Sequence, residues 1–195
     1  MTDLAREYSQ VDALHGGLPD FPRSFTGKGV LIGVIDTGFD FMHPAFRDAE
    51  GNSRIVHVWD QSGRNGNTPS MGYGVVFDTP ELIRSAAHDV SRDTHGTHVA
   101  AIAASSADVY KGMAPESDIV VVATDKSESG IIDALAYLLD YAEKEKKPIA
   151  INLSMGTVIG FKDGTDPIAS MIDELLDKSG KKCLMAIAAG NEGHR

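Results

Sequence analysis

Apolar residues are concentrated in four short runs, at 28–36, 118–124, 148–154 and 183–189, which polar, glycine-containing segments separate. Within each run the apolar positions follow one another without the regular alternation of a half-exposed strand. Runs of this length and character are typical of strands that are buried on both faces of a parallel sheet. We therefore predict four parallel strands at these positions.

A second pattern, with apolar residues three and four positions apart, predicts helices between the strands. It is clear at residues 131–142 and again at 168–176. The later helix should begin with Asp166 as its N-cap and Pro167 in its first turn, and it should end at Gly180. Alternating strands and helices indicate an α/β protein with a mostly parallel sheet and helices on both faces.

The segment between the first two long runs has a different pattern. Residues 54–60 and 72–78 each alternate apolar with polar positions, and a turn-rich stretch separates them. This arrangement predicts a two-stranded excursion from the rest of the chain. Residues 80–90 are typical of a short helix.

The bulk properties limit the classes of partner. The chain has 195 residues and 42% hydrophobic content, enough for one domain at 26–195 after a polar lead-in at 1–25. A formal net charge of −10 at pH 7 argues against a nucleic-acid partner, which clustered lysines and arginines would recruit. No apolar run reaches the roughly 18 residues of a membrane span, and no signal peptide is visible. The sequence assigns no compartment.

Cys183 is the single cysteine, which excludes an intrachain disulfide. Its apolar neighbours suggest a small core residue in a buried strand. The alternative is a thiol nucleophile, which would need a partly exposed electropositive setting and a paired histidine. The apolar surroundings do not favour that alternative.

Polar residues follow each predicted strand, and in open parallel sheets ligands bind beyond the carboxyl ends of the strands. Asp36 follows the first strand within the triplet Asp-Thr-Gly, and in isolation it could be an ordinary turn residue. Aspartic proteases also use Asp-Thr-Gly, but they need a second copy that this chain lacks. His95 and His98 lie at the start of a small-residue helix and could bind zinc, although zinc requires a further ligand.

Taken together and in order, the motifs resemble the three sequential blocks of the subtilases, the subtilisin-like serine proteases. The similarity extends from about residue 25 to the end of the chain. It implies a subtilisin-like three-layer α/β sandwich in which residues 26–195 form part of a catalytic domain, with an insertion at about 50–93. The motifs are Val34-Ile35-Asp36-Thr37-Gly38 with Asp40 and His43-Pro44, then His95-Gly96-Thr97-His98-Val99-Ala100, and Ala188-Ala189-Gly190-Asn191-Glu192-Gly193.

The resemblance implies a role for each motif residue. Asp36 would accept a hydrogen bond from His95 Nδ1 and stabilise the imidazolium, and His95 would act as general base and then general acid. His98 would be a packed neighbour. Asn191 would donate its side-chain amide to the oxyanion of the tetrahedral intermediate. The alternative for Asn191 is an asparagine that only suits a turn beside two glycines.

Subtilases hold an extended peptide substrate between two backbone edges, in the manner of strand addition. The resemblance aligns these edges with residues 127–130 and 154–156, and Met155 would border the pockets around the scissile residue. The second segment could also be a simple turn. The expected substrate-binding residues are Ser127, Glu128, Ser129, Gly130, Ser154, Met155 and Gly156.

The chain departs from the family pattern in two ways. The nucleophilic serine of the family lies in a Gly-Thr-Ser turn, which these residues do not contain. We therefore expect a domain truncated before the nucleophile helix, inactive alone and prone to self-association through exposed apolar surface. Ala45 stands where many relatives place a calcium-ligating aspartate, so no metal or other cofactor is predicted, although structural calcium remains possible in the parent protein.

Two other classes remain as alternatives to a protease. A subtilase-like pseudoprotease would bind peptides as a regulatory protein without cleaving them. A dinucleotide-binding protein would use Gly27, Gly29 and Gly33, but these glycines precede the predicted strand or lie within it, whereas a phosphate-binding loop follows its strand.

Overall fold

A computed structural model describes residues 2–17, 19, 23–64, 66–91, 93–156 and 163–191. None of its described helices is both long and apolar enough to cross a bilayer. The strands are β1 Leu31–Asp36, β2 Ile55–Asp60, β3 Val75–Phe77, β4 Asp118–Ala123, β5 Ile149–Leu153 and β6 Cys183–Ile187. The helices are α1 Thr2–Tyr8, α2 Val11–Gly16, α3 Pro80–Ala86, α4 His95–Ala104, α5 Glu128–Glu145 and α6 Pro167–Ser179, with short 3-10 turns at Pro44–Phe46 and Gly180–Lys182.

The six strands form one sheet in the order β3-β2-β4-β1-β5-β6. Every neighbouring pair is parallel except β2 and β3, so the predicted mostly parallel sheet is confirmed. β1 lies between two other strands, with Val34 opposite both Val121 of β4 and Asn152 of β5. All six residues of β1 are buried, as its unbroken apolar run predicted.

The predicted two-stranded excursion is present as β2 and β3, which pair in antiparallel fashion. It does not leave the sheet, however, because β2 also pairs in parallel with β4. The following helix α3 begins after the N-cap Thr79 and ends at Ala86, earlier than the predicted end near residue 90. Ala87 adopts a positive φ of 63°, which ends the helix, and the next residue, His88, forms an isolated bridge with Asp40 just after β1.

The sheet is covered on both faces, which confirms the three-layer arrangement. On one face the sheet packs against α5 and α6 through Leu135, Leu138 and Ile172. On the other face α4 and a cluster of phenylalanines cover the sheet. The predicted caps of α6 are present, since the Asp166 side chain accepts a hydrogen bond from Ile168 N and Gly180 follows the last helical residue.

β6 differs from the prediction of a strand buried on both faces. Among the described residues it has a strand neighbour on one side only, and Leu184 and Ile187 are 76% and 51% exposed. Cys183, expected in the core, is partly buried and its Sγ lies 2.6 Å from Ser179 Oγ. The apolar surface of β6 is the kind of edge that favours self-association, which stays a prediction.

A buried histidine lies on β2 in a cluster of aromatic side chains. The His57 ring contacts those of Tyr137 and Tyr141, with centroid distances of 5.7 and 4.4 Å, and its Nε2 is 2.6 Å from Tyr137 Oη. Burial lowers the pKa of His57 to about 4, while the charges of Asp78 and Lys144 act in opposite directions. Folding therefore requires this imidazole to be neutral.

This histidine predicts a loss of stability in mild acid. The unfolded chain takes up a proton at His57 near pH 6.5, whereas the folded chain does so only near pH 4. The stabilisation is complete above about pH 6.5 and is lost as the pH falls toward 4, by on the order of 2 kcal/mol between pH 7 and pH 5. Urea unfolding at pH 7 and pH 5 measures the free energy of unfolding. Between these two pH values it should fall less for His57→Phe than for the unaltered protein. Equal losses in the two proteins would contradict this account.

Candidate active site

Asp36 is the last residue of β1, so the buried strand carries its carboxylate to the carboxyl edge of the sheet. The residue is 2% exposed, and its Oδ1 accepts a hydrogen bond from Thr37 N at 2.7 Å. A carboxylate in such a site keeps a fixed orientation, because it is buried and hydrogen-bonded to its own turn.

His95 is the first residue of α4, and the structure places it against Asp36. Its Nδ1 lies 2.8 Å from Asp36 Oδ1 and 2.9 Å from Oδ2. The His95 side chain is 51% exposed, whereas that of Asp36 is 3% exposed. The His95 ring is therefore half-exposed, and one of its two nitrogens contacts a buried carboxylate.

His98, which was expected to be a packed neighbour of His95, is instead exposed in the described structure. The zinc alternative for these histidines gains no support, since the described residues contain no group of three or more histidine, cysteine, aspartate or glutamate side chains that could hold a metal.

The residues after His95 explain why the helix begins where it does. Gly96 N donates to Thr37 O at 2.7 Å, and Thr97 N donates to Gly38 O at 3.0 Å. The Thr97 hydroxyl also donates to Gly38 O and accepts from Asp40 N. The first turn of α4 thus uses amide groups that a helix leaves unpaired to hold the turn after β1.

The turn after β1 and the start of α4 approach so closely that two positions require glycine. A Cβ on Gly96 would lie 2.7 Å from the Phe39 ring. Gly38 has a φ of +82°, and a Cβ there would lie 2.5 Å from the Asp93 backbone. Side chains at either position would separate the turn from the helix and so move Asp36 away from His95.

Two further buried carboxylates lie beside this pair and were not singled out from the sequence. Asp89 accepts hydrogen bonds from Gly38 N and Phe39 N, and Asp60 accepts one from Val90 N. Burial raises the pKa of both carboxylates, and these hydrogen bonds oppose the rise. Asp60 ends a strand as Asp36 does, so the rule on strand ends could have identified it, whereas nothing in the sequence around Asp89 does so.

The first predicted substrate segment has a different conformation from the one expected. Ser127 is the N-cap of α5, and Glu128, Ser129 and Gly130 form the first turn of that helix. The prediction of an extended edge at these three residues is therefore wrong, because their backbone follows the helix. Ser127 Oγ accepts from Gly130 N, and the Gly130 carbonyl accepts from Gln61 Nε2 at 2.7 Å.

The second predicted segment follows β5 and lies beside the residues that follow β6. A Cβ added to Gly156 would lie 3.0 Å from Gly190 Cα, so the end of this segment lies against the residue that precedes Asn191. Asn191 is exposed, and in the described part of the chain it makes no hydrogen bond to Asp36 or His95. The last two residues of its motif, at 192–193, lie outside the described residues.

The family model described as Peptidase_S8, the subtilase family, matches residues 27–195. The chain belongs to the subtilase family. The subtilisin-like protease PopC of Myxococcus xanthus is 30% identical to it over 185 residues, which is 86% of this chain and 34% of PopC. The intracellular serine protease of Paenibacillus polymyxa is 29% identical over 170 residues, 86% of this chain and 43% of that relative.

Two solved structures have a similar fold. The CspB protease of Clostridium perfringens matches with a TM-score of 0.73 and 31% identity, over 87% of this chain and 37% of CspB. Sphericase, at 22% identity and a TM-score of 0.60, supports the fold alone, over 95% of this chain and 53% of sphericase. The chain thus spans less than half the length of the two curated relatives and of CspB.

Proposed function

We propose that the protein containing this chain is a serine endopeptidase in which Asp36 and His95 form the acid–base pair. The contact between His95 Nδ1 and the buried Asp36 carboxylate is the main support. With Nδ1 donating to the carboxylate, Nε2 of the half-exposed ring is the nitrogen left to exchange a proton. Membership of a family whose relatives are named serine proteases supports the same activity.

In this reaction a serine hydroxyl attacks the peptide carbonyl as His95 Nε2 takes its proton. Asp36 remains ionised and stabilises the imidazolium. The Asn191 amide donates to the oxyanion of the tetrahedral intermediate. His95 then returns the proton to the leaving amine, and water hydrolyses the acyl-enzyme by the same route.

The serine itself is proposed to lie outside residues 1–195, since no Gly-Thr-Ser sequence occurs within them. An apolar groove of about 370 Å³ is open beside α4, and Ile32, Val99, Ile102 and Ala103 line it together with Asn152 and Ser154. The groove extends along the same helix that begins with His95. A serine-bearing segment packed there would bury this apolar surface.

The substrate is proposed to be an extended peptide that pairs with the backbone at 154–156, next to Asn191. Glu128, Ser129 and Gly130 are helical, so the opposite wall of the cleft would contribute side chains rather than a backbone edge. Side-chain pockets on this wall would then select the substrate.

Assays of casein and chromogenic peptide cleavage test this function. The full-length protein should cleave both and should lose activity with a serine-directed fluorophosphonate, whereas purified residues 1–195 should cleave neither. Fluorophosphonate-sensitive turnover by residues 1–195 would contradict the proposed location of the serine. A folded full-length protein that binds peptides without cleaving them would be a pseudoprotease instead.

A further inference from the structure

The turn after β1 is held by a carboxylate outside the catalytic pair. Asp89 is 2% exposed. Its Oδ2 accepts from Gly38 N at 2.8 Å, and its Oδ1 accepts from Phe39 N at 3.1 Å. In return, Asp89 N donates to Phe39 O at 3.2 Å. Three hydrogen bonds thus join one residue to the turn that begins at Asp36, and those to a charged carboxylate are the stronger kind.

Asp89 is itself fixed from both sides along the chain. Asp60 Oδ2, at the end of β2, accepts from Val90 N at 3.0 Å. On the other side, His88 Nδ1 lies 2.6 Å from the Asp89 carbonyl oxygen. The position of Asp89 therefore depends on Asp60 of β2 and on His88, and not on the catalytic turn alone.

The turn lies between Asp89 and the first turn of α4. Gly38 donates its N–H to Asp89 and accepts at its carbonyl from Thr97, two residues after His95. A shift of this peptide unit would therefore change the position of the turn relative to the helix that carries His95. Small displacements of this kind are costly, because acid–base groups must meet within hydrogen-bond distance.

Burial disfavours the charged form of the Asp89 carboxylate. Burial raises its pKa, and the nearby Asp60 carboxylate adds a smaller effect in the same direction. The bonds from Gly38 and Phe39 are the main contributions that act against this rise. The amides of the turn that Asp89 holds are thus the main groups that favour its charged form.

We infer that Asp89 is a positioning residue for the catalytic pair. It holds Gly38 and Phe39 so that the Asp36 carboxylate stays within hydrogen-bond distance of His95 Nδ1. Its effect on turnover rests on the proposed function, whereas its effect on the geometry does not.

The test is Asp89→Asn in the full-length protein, because asparagine keeps the size of the side chain but removes the charge and one acceptor oxygen. We expect kcat to fall about tenfold to a hundredfold with KM changed by less than about threefold. The His95 Nδ1 proton, observed by NMR, should broaden or disappear in the folded variant. Asp166→Ala, which removes the N-cap of α6, is the control. It should lower the stability of the fold but leave kcat and the NMR signal of the His95 Nδ1 proton unchanged.

An unchanged kcat together with an unchanged His95 Nδ1 proton in folded Asp89→Asn would overturn the inference. If the unaltered protein has no turnover but the variant loses this proton signal, the positioning role stands and the proposed function fails. Should the variant not fold, hydrogen exchange in the unaltered protein decides. The backbone amides of Gly38 and Phe39 should be as protected as those of Gly96 and Thr97, and exchange more than about tenfold faster would contradict the role of Asp89.

Discussion

If the proposed function holds, replacing Asp36 with asparagine should reduce kcat/KM of the full-length protein by about ten-thousandfold while leaving the fold intact. The buried carboxylate accepts a hydrogen bond from His95 Nδ1. An asparagine amide would present its NH₂ group or a neutral oxygen there, and would neither select the required tautomer nor stabilise the imidazolium. Steady-state kinetics with circular dichroism of the variant would measure both effects.

Asp118→Asn is the matched control. Asp118 begins β4, at the end of the sheet opposite to Asp36, and its carboxylate lies 2.6 Å from Lys147 Nζ. The two aspartates thus lie on neighbouring strands at opposite ends. The control should keep kcat/KM within about twofold, as expected for a partly exposed ion pair. Equal losses in the two variants would mean that Asp36 acts only through stability.

The second large effect is expected at Asn191. Asn191→Leu keeps the approximate size of the side chain but removes the amide donor proposed for the oxyanion. We expect kcat to fall about a hundredfold to a thousandfold with little change in KM, because the lost bond is made mainly in the transition state. Asn52→Leu, in the surface loop before β2, should leave both parameters unchanged. A rise in KM alone for Asn191→Leu would instead assign Asn191 to ground-state binding.

The long apolar runs predicted β1, β4 and β5 well, because each of these strands lies between two others. The expected burial on both faces holds for β1 and nearly for β4, whereas Ala150 and Asn152 of β5 are only partly buried. β2 was harder to assign because its polar residues are buried: His57 contacts two tyrosine rings, and Asp60 accepts hydrogen bonds from backbone amides. A polar residue with a buried partner has the same sequence pattern as an exposed one. For β6 the prediction failed in the opposite direction. Its apolar run predicted a strand buried on both faces, but β6 lies at an edge of the described sheet.

The site was only partly predictable for the same physical reason. Asp36 and His95 could be placed at a strand end and a helix start, but residue patterns alone do not bring together positions 59 apart. Their pairing came from the family resemblance. The helical start at Ser127 could have been read from its capping side chain, whereas the role of Asp89 depends on tertiary contacts that leave no local pattern.

The central claim is that Asp36 and His95 activate a serine in the complete protein. Mass spectrometry of the full-length protein after fluorophosphonate treatment tests this most directly. We predict a single adduct on a serine outside residues 1–195, formed at least about a hundredfold more slowly in folded His95→Ala. A folded, unaltered protein that forms no adduct, or a His95→Ala variant that reacts equally fast, would contradict the account.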